Sequence, residues 1–115
     1  MELRKALYRE AIAIIERDYA ERLDINTVAD EISTSRRQLQ RAFAEAGRTS
    51  FSDYLTEVRL RKAAELLSES ELTVREVANS VGYRQPSQFA QRFRRRYGSS
   101  PSRFRPSAQP RFRSR

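Results

Sequence analysis

The chain of 115 residues contains no cysteine and no histidine. Without cysteine it can form neither a disulfide framework nor a thiolate site. Without histidine it lacks the commonest general base and the commonest neutral metal ligand. Carboxylates are plentiful, but their spacing forms no acid–base pair and no metal-ligand set. We therefore expect neither an enzyme nor a protein with a cofactor or a metal.

Long apolar runs are also missing. The longest near the N-terminus, residues 11–15, is too short to cross a membrane or to act as a signal peptide. With 38% hydrophobic and 33% charged residues the chain can bury a modest core. Its length suits one domain or two very small lobes. We expect a soluble protein of a reducing cytoplasm with no membrane partner.

Acidic residues are absent from the C-terminal third. Residues 1–76 have thirteen Lys or Arg against fifteen Asp or Glu, whereas residues 77–115 have ten arginines and no acid. A basic region of this kind attracts a polyanion. A solubilising tail would account for the arginines at 111, 113 and 115. It would not account for those at 92 and 94–96, because they lie within a helical pattern.

Hydrophobic spacing predicts helices and no strand. Expected caps are Asn26, Ser35, Ser50 and Thr73, and Gly47 is expected to end the helix that Ser35 opens. The expected helices cover about 3–19, a short segment after 26, 35–46, 50–67, 73–81 and 86–97, with a last turn at 100–101. The expected core residues are Leu3, Leu7, Ala11, Ile14, Ile15, Val28, Ala29, Ile32, Leu39, Ala42, Phe43, Ala46, Phe51, Leu55, Val58, Ala63, Leu66, Leu67, Phe89 and Phe93.

A two-helix pattern occurs twice, about fifty residues apart. Residues 28–32 (VADEI) return as residues 77–81 (VANSV), and Leu39 with Phe43 returns as Phe89 with Phe93. Each copy has a short helix, a tight turn and a second helix, which is the form of a helix-turn-helix unit. A repeated unit in a small basic protein indicates two similar recognition elements on one long ligand, and duplex DNA fits best.

In the first copy, the second helix has a polar face opposite its core face. Arginine pairs with guanine and glutamine with adenine in the major groove, so this face suits direct readout of bases. An ordinary solvated face is the alternative, but three arginines with no acid nearer than Glu45 make an unusual solvent face. The expected base contacts are Arg36, Arg37, Gln40 and Arg41, and Ser35 is an expected phosphate contact.

In the second copy, Phe89 and Phe93 form the packing side. The polar side mixes groups that suit bases with arginines that suit phosphates. For Ser87 and Gln88 the alternative is simple capping of the helix. The expected base contacts are Ser87, Gln88 and Gln91, and the expected phosphate contacts are Arg94, Arg95 and Arg96. The connecting helix would be about 27 Å long, close to the roughly 34 Å between successive major grooves on one face of DNA.

From about Leu23 to Arg105 the chain resembles the DNA-binding domain of the AraC/XylS family of bacterial transcription regulators. The resemblance rests on an ordered set of motifs: Ser35-Arg36-Arg37-Gln38-Leu39-Gln40-Arg41-Ala42-Phe43, Ser50-Phe51-Ser52-Asp53-Tyr54-Leu55, Val58-Arg59-Leu60 with Ala63, Val77-Ala78, Val81-Gly82-Tyr83, Phe89 with Phe93, and Tyr97-Gly98 with Ser100-Pro101. This set is far more specific than a single helix-turn-helix match.

The resemblance implies an all-α, seven-helix fold with two helix-turn-helix subdomains joined by a long central helix. The first subdomain would cover 1–48, the linker helix 49–69, the second subdomain 70–105, and a basic disordered tail 106–115. Family members bind asymmetric promoter sites and mostly activate transcription by contacting RNA polymerase. We therefore expect a monomeric activator in the bacterial cytoplasm, associated with the nucleoid, with double-stranded promoter DNA and RNA polymerase as partners.

By position, Arg37, Gln40 and Arg41 match the base-reading face of the family's first recognition helix. Positions 86, 87, 88 and 91 match the contact positions of the second, although Pro86 has no side-chain donor. Gln85 stands where the family usually has a small capping residue.

Most relatives have a separate effector-binding or dimerising domain, for which this chain has no room, and no small-molecule effector site is evident. It resembles the short members regulated by abundance, or is a fragment. Without cysteine, the methyl-acceptor activity of some relatives is excluded. Two alternatives remain open. A protein-interaction module would bind DNA weakly with little salt dependence, and a nonspecific architectural binder would show steep salt dependence with little sequence preference.

Overall fold

The computed structural model describes residues 2–108, which form seven α-helices, one π-helical turn and no strand. The all-α class and the seven helices are confirmed. The elements are α1 (Glu2–Asp18), α2 (Ile25–Glu31), α3 (Arg36–Ala42), the π turn (Phe43–Gly47), α4 (Phe51–Glu69), α5 (Val74–Ser80), α6 (Pro86–Tyr97) and α7 (Pro101–Ala108).

The chain divides into two compact units, Met1–Val58 and Arg59 onward, and the division falls within α4. No helix among residues 2–108 is long and apolar enough to cross a membrane.

Three of the four expected helix caps form. The hydroxyls of Ser35 and Ser50 accept hydrogen bonds from the backbone N–H groups three residues later, at 3.1 and 3.0 Å. Thr73 accepts from the N–H of Glu76, and the Glu76 carboxylate accepts from the N–H of Thr73 at 2.8 Å. These bonds satisfy N–H groups that a helix start leaves unpaired, so they fix where α3, α4 and α5 begin.

The expected cap of α2 was wrong. Asp24, not Asn26, holds the start of the helix, because its Oδ1 accepts a hydrogen bond from the N–H of Thr27 at 2.9 Å. This hydrogen bond stabilises the carboxylate and lowers the pKa of Asp24 below its ordinary value. Asn26 lies inside the first turn instead.

The end of α3 also differs from expectation. α3 is followed by the π turn, and the left-handed residue is Arg48, with φ of 54°, rather than Gly47. Gly47 is needed for another reason. A Cβ atom at this position would lie 2.5 Å from the ring of Tyr8 on α1, so any side chain here would have to displace that ring.

The core of the first unit forms between α1, α2, α3 and the start of α4. Phe43 is fully buried. The rings of Tyr8 and Phe51 pack edge-on against its ring, with distances between ring centroids of 5.2 and 5.7 Å. Leu3 was expected in the core but is 59% exposed, because it lies in the first turn of α1, one turn before the first buried residue of that helix. Ile32, Ala46 and Leu66 are half-buried rather than buried, whereas Leu60, which was not expected in the core, is buried.

The second unit has its own aromatic core. Phe89 and Phe93 are fully buried, and Phe93 meets Phe104 of α7 edge-on at 5.3 Å. Arg105 donates hydrogen bonds to the carbonyls of Leu67 and Ser70 at 3.3 and 3.4 Å, and so satisfies groups at the end of α4. α7 reaches residue 108, three residues into the segment expected to be disordered. Residues 109–115 of that expected tail lie outside the described part of the chain.

Candidate nucleic-acid interface

The first helix-turn-helix unit consists of α2, a tight turn and α3. Ser33 adopts a left-handed backbone with φ of 58°, and the N–H of Thr34 donates to the carbonyl of Ala29 at 2.9 Å. This turn lets Ser35 cap α3 directly. Because Val28, Ala29 and Leu39 are all buried, the two helices share one core, which sets the face that α3 presents to solvent.

Leu39 and Ala42 of α3 and the following Phe43 face the core. All the residues expected to contact DNA from this helix are exposed and lie on its other sides: Ser35, Arg36, Arg37, Gln40 and Arg41. The structure thus brings the expected contacts of the first unit together on one accessible surface, whose contact with DNA stays a prediction. The expected capping box at Ser35 forms only in part. The Ser35 hydroxyl accepts from the N–H of Gln38, but within the described residues the exposed Gln38 side chain accepts no hydrogen bond from the N–H of Ser35.

The exposed side of α3 is strongly basic. None of the guanidinium groups of Arg36, Arg37 and Arg41 has an ion-pair partner among residues 2–108. The only acid between positions 32 and 52 is Glu45, and its carboxylate pairs with Arg4 of α1 at 2.5 Å. Arg37 and Arg41 are therefore available to an external anion, whereas Arg36 also feels the charge of the Asp24 carboxylate at the start of α2.

One edge of this surface opens into a groove of about 400 Å³, a feature that helical spacing did not predict. The groove lies between α3 and the segment that begins α4, and Arg36 and Gln40 lie on its α3 side. Its other lining residues are Ile25, Ala44, Thr49, Ser50, Phe51 and Ser52. Thr49 and Ser52 line this groove but were not among the predicted contact residues, because positions around Ser50 were considered only as a helix start.

The second helix-turn-helix unit consists of α5, a turn and α6. Gly82 takes the left-handed position with φ of 103°, and the N–H of Tyr83 donates to the carbonyl of Ala78 at 2.9 Å. This turn is one residue longer than the first, because α6 starts at Pro86, after Gln85. The Gln85 side chain makes no capping hydrogen bond, in keeping with its departure from the family pattern.

On α6, Phe89 and Phe93 face the core. The expected contacts are exposed: Ser87, Gln88, Gln91, Arg94, Arg95 and Arg96. Capping was the alternative explanation for Ser87 and Gln88. In the described structure both lie inside the first turn, and neither side chain forms a capping bond. Their side chains are therefore accessible to a ligand.

The arginines of the second unit have different surroundings. Arg94 and Arg95 are exposed and, among the described residues, have no ion-pair partner. The guanidinium of Arg96 lies 4.6 Å from the ring centroid of Tyr97, and Arg92 is half-buried. Arg59 of α4 lies 5.8 Å from the ring centroid of Tyr83, and its burial lowers its pKa. Arg94 and Arg95 are thus exposed charges that a polyanion can reach.

No cluster of acidic side chains within residues 2–108 could hold a metal ion. Two helix-turn-helix units, each with an exposed polar face on its second helix, define the class as a double helix-turn-helix DNA-binding domain. A family model described as a helix-turn-helix domain matches residues 28–107. The chain belongs to this family, and its fold and relatives place it among the AraC-type DNA-binding domains, which are not enzymes.

Known structures and sequences agree with this assignment. The DNA-binding domain of AdpA, solved with a target DNA, has a TM-score of 0.85 at 30% identity, covering 94% of this chain and 97% of that one. An AraC-type regulator from Chromobacterium violaceum has a TM-score of 0.85 at 26% identity, covering 90% and 93%. The Msm operon regulatory protein of Streptococcus mutans is 31% identical over 105 residues.

The match to that operon regulator covers 91% of this chain but 38% of the regulator. For two further regulators the share is 26% and 25%. The chain therefore spans between a quarter and two fifths of the length of these relatives.

Proposed function

We propose that the chain binds an asymmetric promoter site as a monomer, with α3 and α6 in successive major grooves, and that it activates transcription. The observation that supports this most directly is the pair of exposed polar faces. Each is held by a buried stripe in its own unit, and the guanidinium groups of Arg37, Arg41, Arg94 and Arg95 on these faces have no ion-pair partner within the described residues.

The two faces differ in chemistry, which favours an asymmetric site. The face of α3 is dominated by Arg37, Gln40 and Arg41, which suit guanine and adenine edges. The face of α6 offers Ser87, Gln88 and Gln91 near its start and arginines only near its end. Two different faces select two different short sequences. A single molecule could therefore define an oriented site, which a symmetric dimer could not do.

The length of α4 supports simultaneous binding by both units. At 1.5 Å per residue its 19 residues extend about 28 Å. Successive major grooves on one face of DNA lie about 34 Å apart, a distance of the same order as the length of this connecting helix. We assign base contacts to Arg36, Arg37, Gln40, Arg41, Ser87, Gln88 and Gln91, and phosphate contacts to Ser35, Arg94, Arg95 and Arg96.

Activation through RNA polymerase is the part of the proposal that rests on relatives. The matched proteins are named as transcriptional regulators, and the resemblance implies contact with polymerase at the promoter. Transcription in vitro from a bound site, with purified bacterial RNA polymerase, shows directly whether the protein activates or represses. Increased transcript would support activation, and reduced transcript would assign repression.

Selection of bound duplexes from a random pool at physiological salt tests the DNA-binding mode. We expect one enriched, non-palindromic motif with two short blocks about one helical turn apart, bound by one protein molecule. Enrichment of a single block would indicate that the second unit contacts only DNA phosphates and reads no bases. Binding without enrichment would favour an architectural role, and absence of binding would favour a protein-interaction module.

A further inference from the structure

α1 lies outside both helix-turn-helix units, yet it contacts the end of the first recognition helix at two points one turn apart. Arg4 pairs with Glu45 in the π turn, and Tyr8 packs on Phe43 of the same turn. The Arg4 and Glu45 side chains are 28% and 44% exposed. The pair is thus partly shielded and is anchored by aromatic packing beside it.

Glu45 stands four residues after Arg41, which is one of the proposed base contacts. In a regular helix, oppositely charged residues four apart are neighbours and form an ion pair. Here they do not pair. Glu45 lies in the π turn rather than in regular helix, and its carboxylate is bound to Arg4. Arg41 consequently has no ion-pair partner among the described residues.

We propose that Arg4 is a positioning residue for DNA recognition: it holds the Glu45 carboxylate away from Arg41, so that Arg41 stays free to bind a base. The inference rests on the proposed role of Arg41. Loss of Arg4 would leave Glu45 able to pair with Arg41, and every DNA-binding event would then have to break that pair. The acid would also repel nearby phosphates. Specific binding would suffer more than nonspecific binding.

The test uses the full chain and two probes, the duplex enriched by selection and a scrambled duplex of equal length. The measured quantity is the ratio of the two affinities. Exposed ion pairs are worth up to about 1 kcal/mol, so we expect Arg4→Gln to lower this ratio about threefold to fivefold. Arg9→Gln is the matched control, because it removes the same charge from an exposed position of α1 with no ion-pair partner among the described residues. It should leave the ratio unchanged.

The double variant Arg4→Gln/Glu45→Gln separates positioning from a structural role. It lacks the Arg4–Glu45 ion pair, as Arg4→Gln does, and also the carboxylate that would pair with Arg41. Its melting temperature should therefore be no higher than that of Arg4→Gln, yet it should recover the wild-type affinity ratio. If the double variant stays as defective as the single variant, Arg4 acts only through stability and the proposal is overturned.

An unchanged ratio in Arg4→Gln would also overturn the proposal, because Glu45 would then turn to Arg48 or to solvent. The Arg41→Ala variant distinguishes failure of this inference from failure of the proposed function. If the wild type discriminates between the duplexes and Arg41→Ala lowers the affinity ratio, Arg41 contributes to specificity and the Arg4 variants test this inference alone. If the wild type shows no preference, the proposed function fails first.

Discussion

Ser33 and Gly82 occupy the same left-handed position in the turns of the two helix-turn-helix units. Their φ angles are 58° and 103°, and in each turn the next residue donates its N–H to an alanine carbonyl at 2.9 Å. The alanines, Ala29 and Ala78, are also equivalent in the repeat. The first unit thus places a serine where the second places a glycine, and a serine in this conformation is under backbone strain.

We expect Ser33→Gly to stabilise the protein by about 0.5–1 kcal/mol, because relief of the strain outweighs the added freedom of the unfolded chain. Gly82→Ala should destabilise it by at least about 1 kcal/mol. Urea denaturation of both variants measures the two effects. Equal losses in both would show that the Ser33 hydroxyl contributes more than the backbone strain costs.

Gly47→Ala should destabilise the first unit by about 1–3 kcal/mol, since the new methyl group would displace the Tyr8 ring from its contact with Phe43. The double variant Gly47→Ala/Tyr8→Ala should lose less than the sum of the two single losses. Gly98→Ala is the contrasting control. It has a φ of 83° but no atom within 4 Å of the added Cβ, so its cost is conformational alone. Strict additivity in the double variant would rule out the packing explanation.

Arg41→Ala should cost about 1–3 kcal/mol on the selected site and relax the base preference at one position of the motif. The reason is that a bidentate contact to a guanine edge is lost while phosphate contacts remain. Titration of a panel of single-base variants of the site measures both effects. Equal losses on every sequence would reassign Arg41 to the phosphate backbone.

Arg94→Gln together with Arg95→Gln should weaken binding to all sequences alike. Each lost phosphate contact should reduce the slope of log affinity against log salt by about one unit. Arg105→Gln is a useful comparison, because Arg105 binds the carbonyls at the end of α4 and should affect stability rather than the salt slope. A salt slope that stays at the wild-type value in the double variant would remove Arg94 and Arg95 from the interface.

The sequence alone predicted the helix-turn-helix units well where local chemistry decides the outcome. Thr73 and Glu76 satisfy each other's backbone groups within four residues, so the start of α5 is visible without tertiary information. The buried stripes at Leu39 with Phe43 and at Phe89 with Phe93 follow from the helical period. The same period places the proposed contact residues on the opposite, exposed faces, although their contact with DNA stays a prediction.

Local signals were misleading where two candidates compete within a turn. Asp24 and Asn26 can both cap a helix, and neighbouring residues do not show which oxygen reaches a free N–H. Gly47 has the residue type of a helix stop, but the left-handed backbone falls on Arg48. In both places the predicted element exists and only its boundary is shifted.

The helical class, the duplicated unit and the separation of buried from exposed faces follow from the sequence alone, because capping and periodicity act within one or two turns. The contacts that join distant positions become visible only in the folded protein. Arg4 meets Glu45 across 41 positions, and Arg105 meets Leu67 across 38. Many side chains of suitable charge could have made either contact. Which of them do so depends on how the helices pack, and neither hydrophobic spacing nor charge pattern reports that.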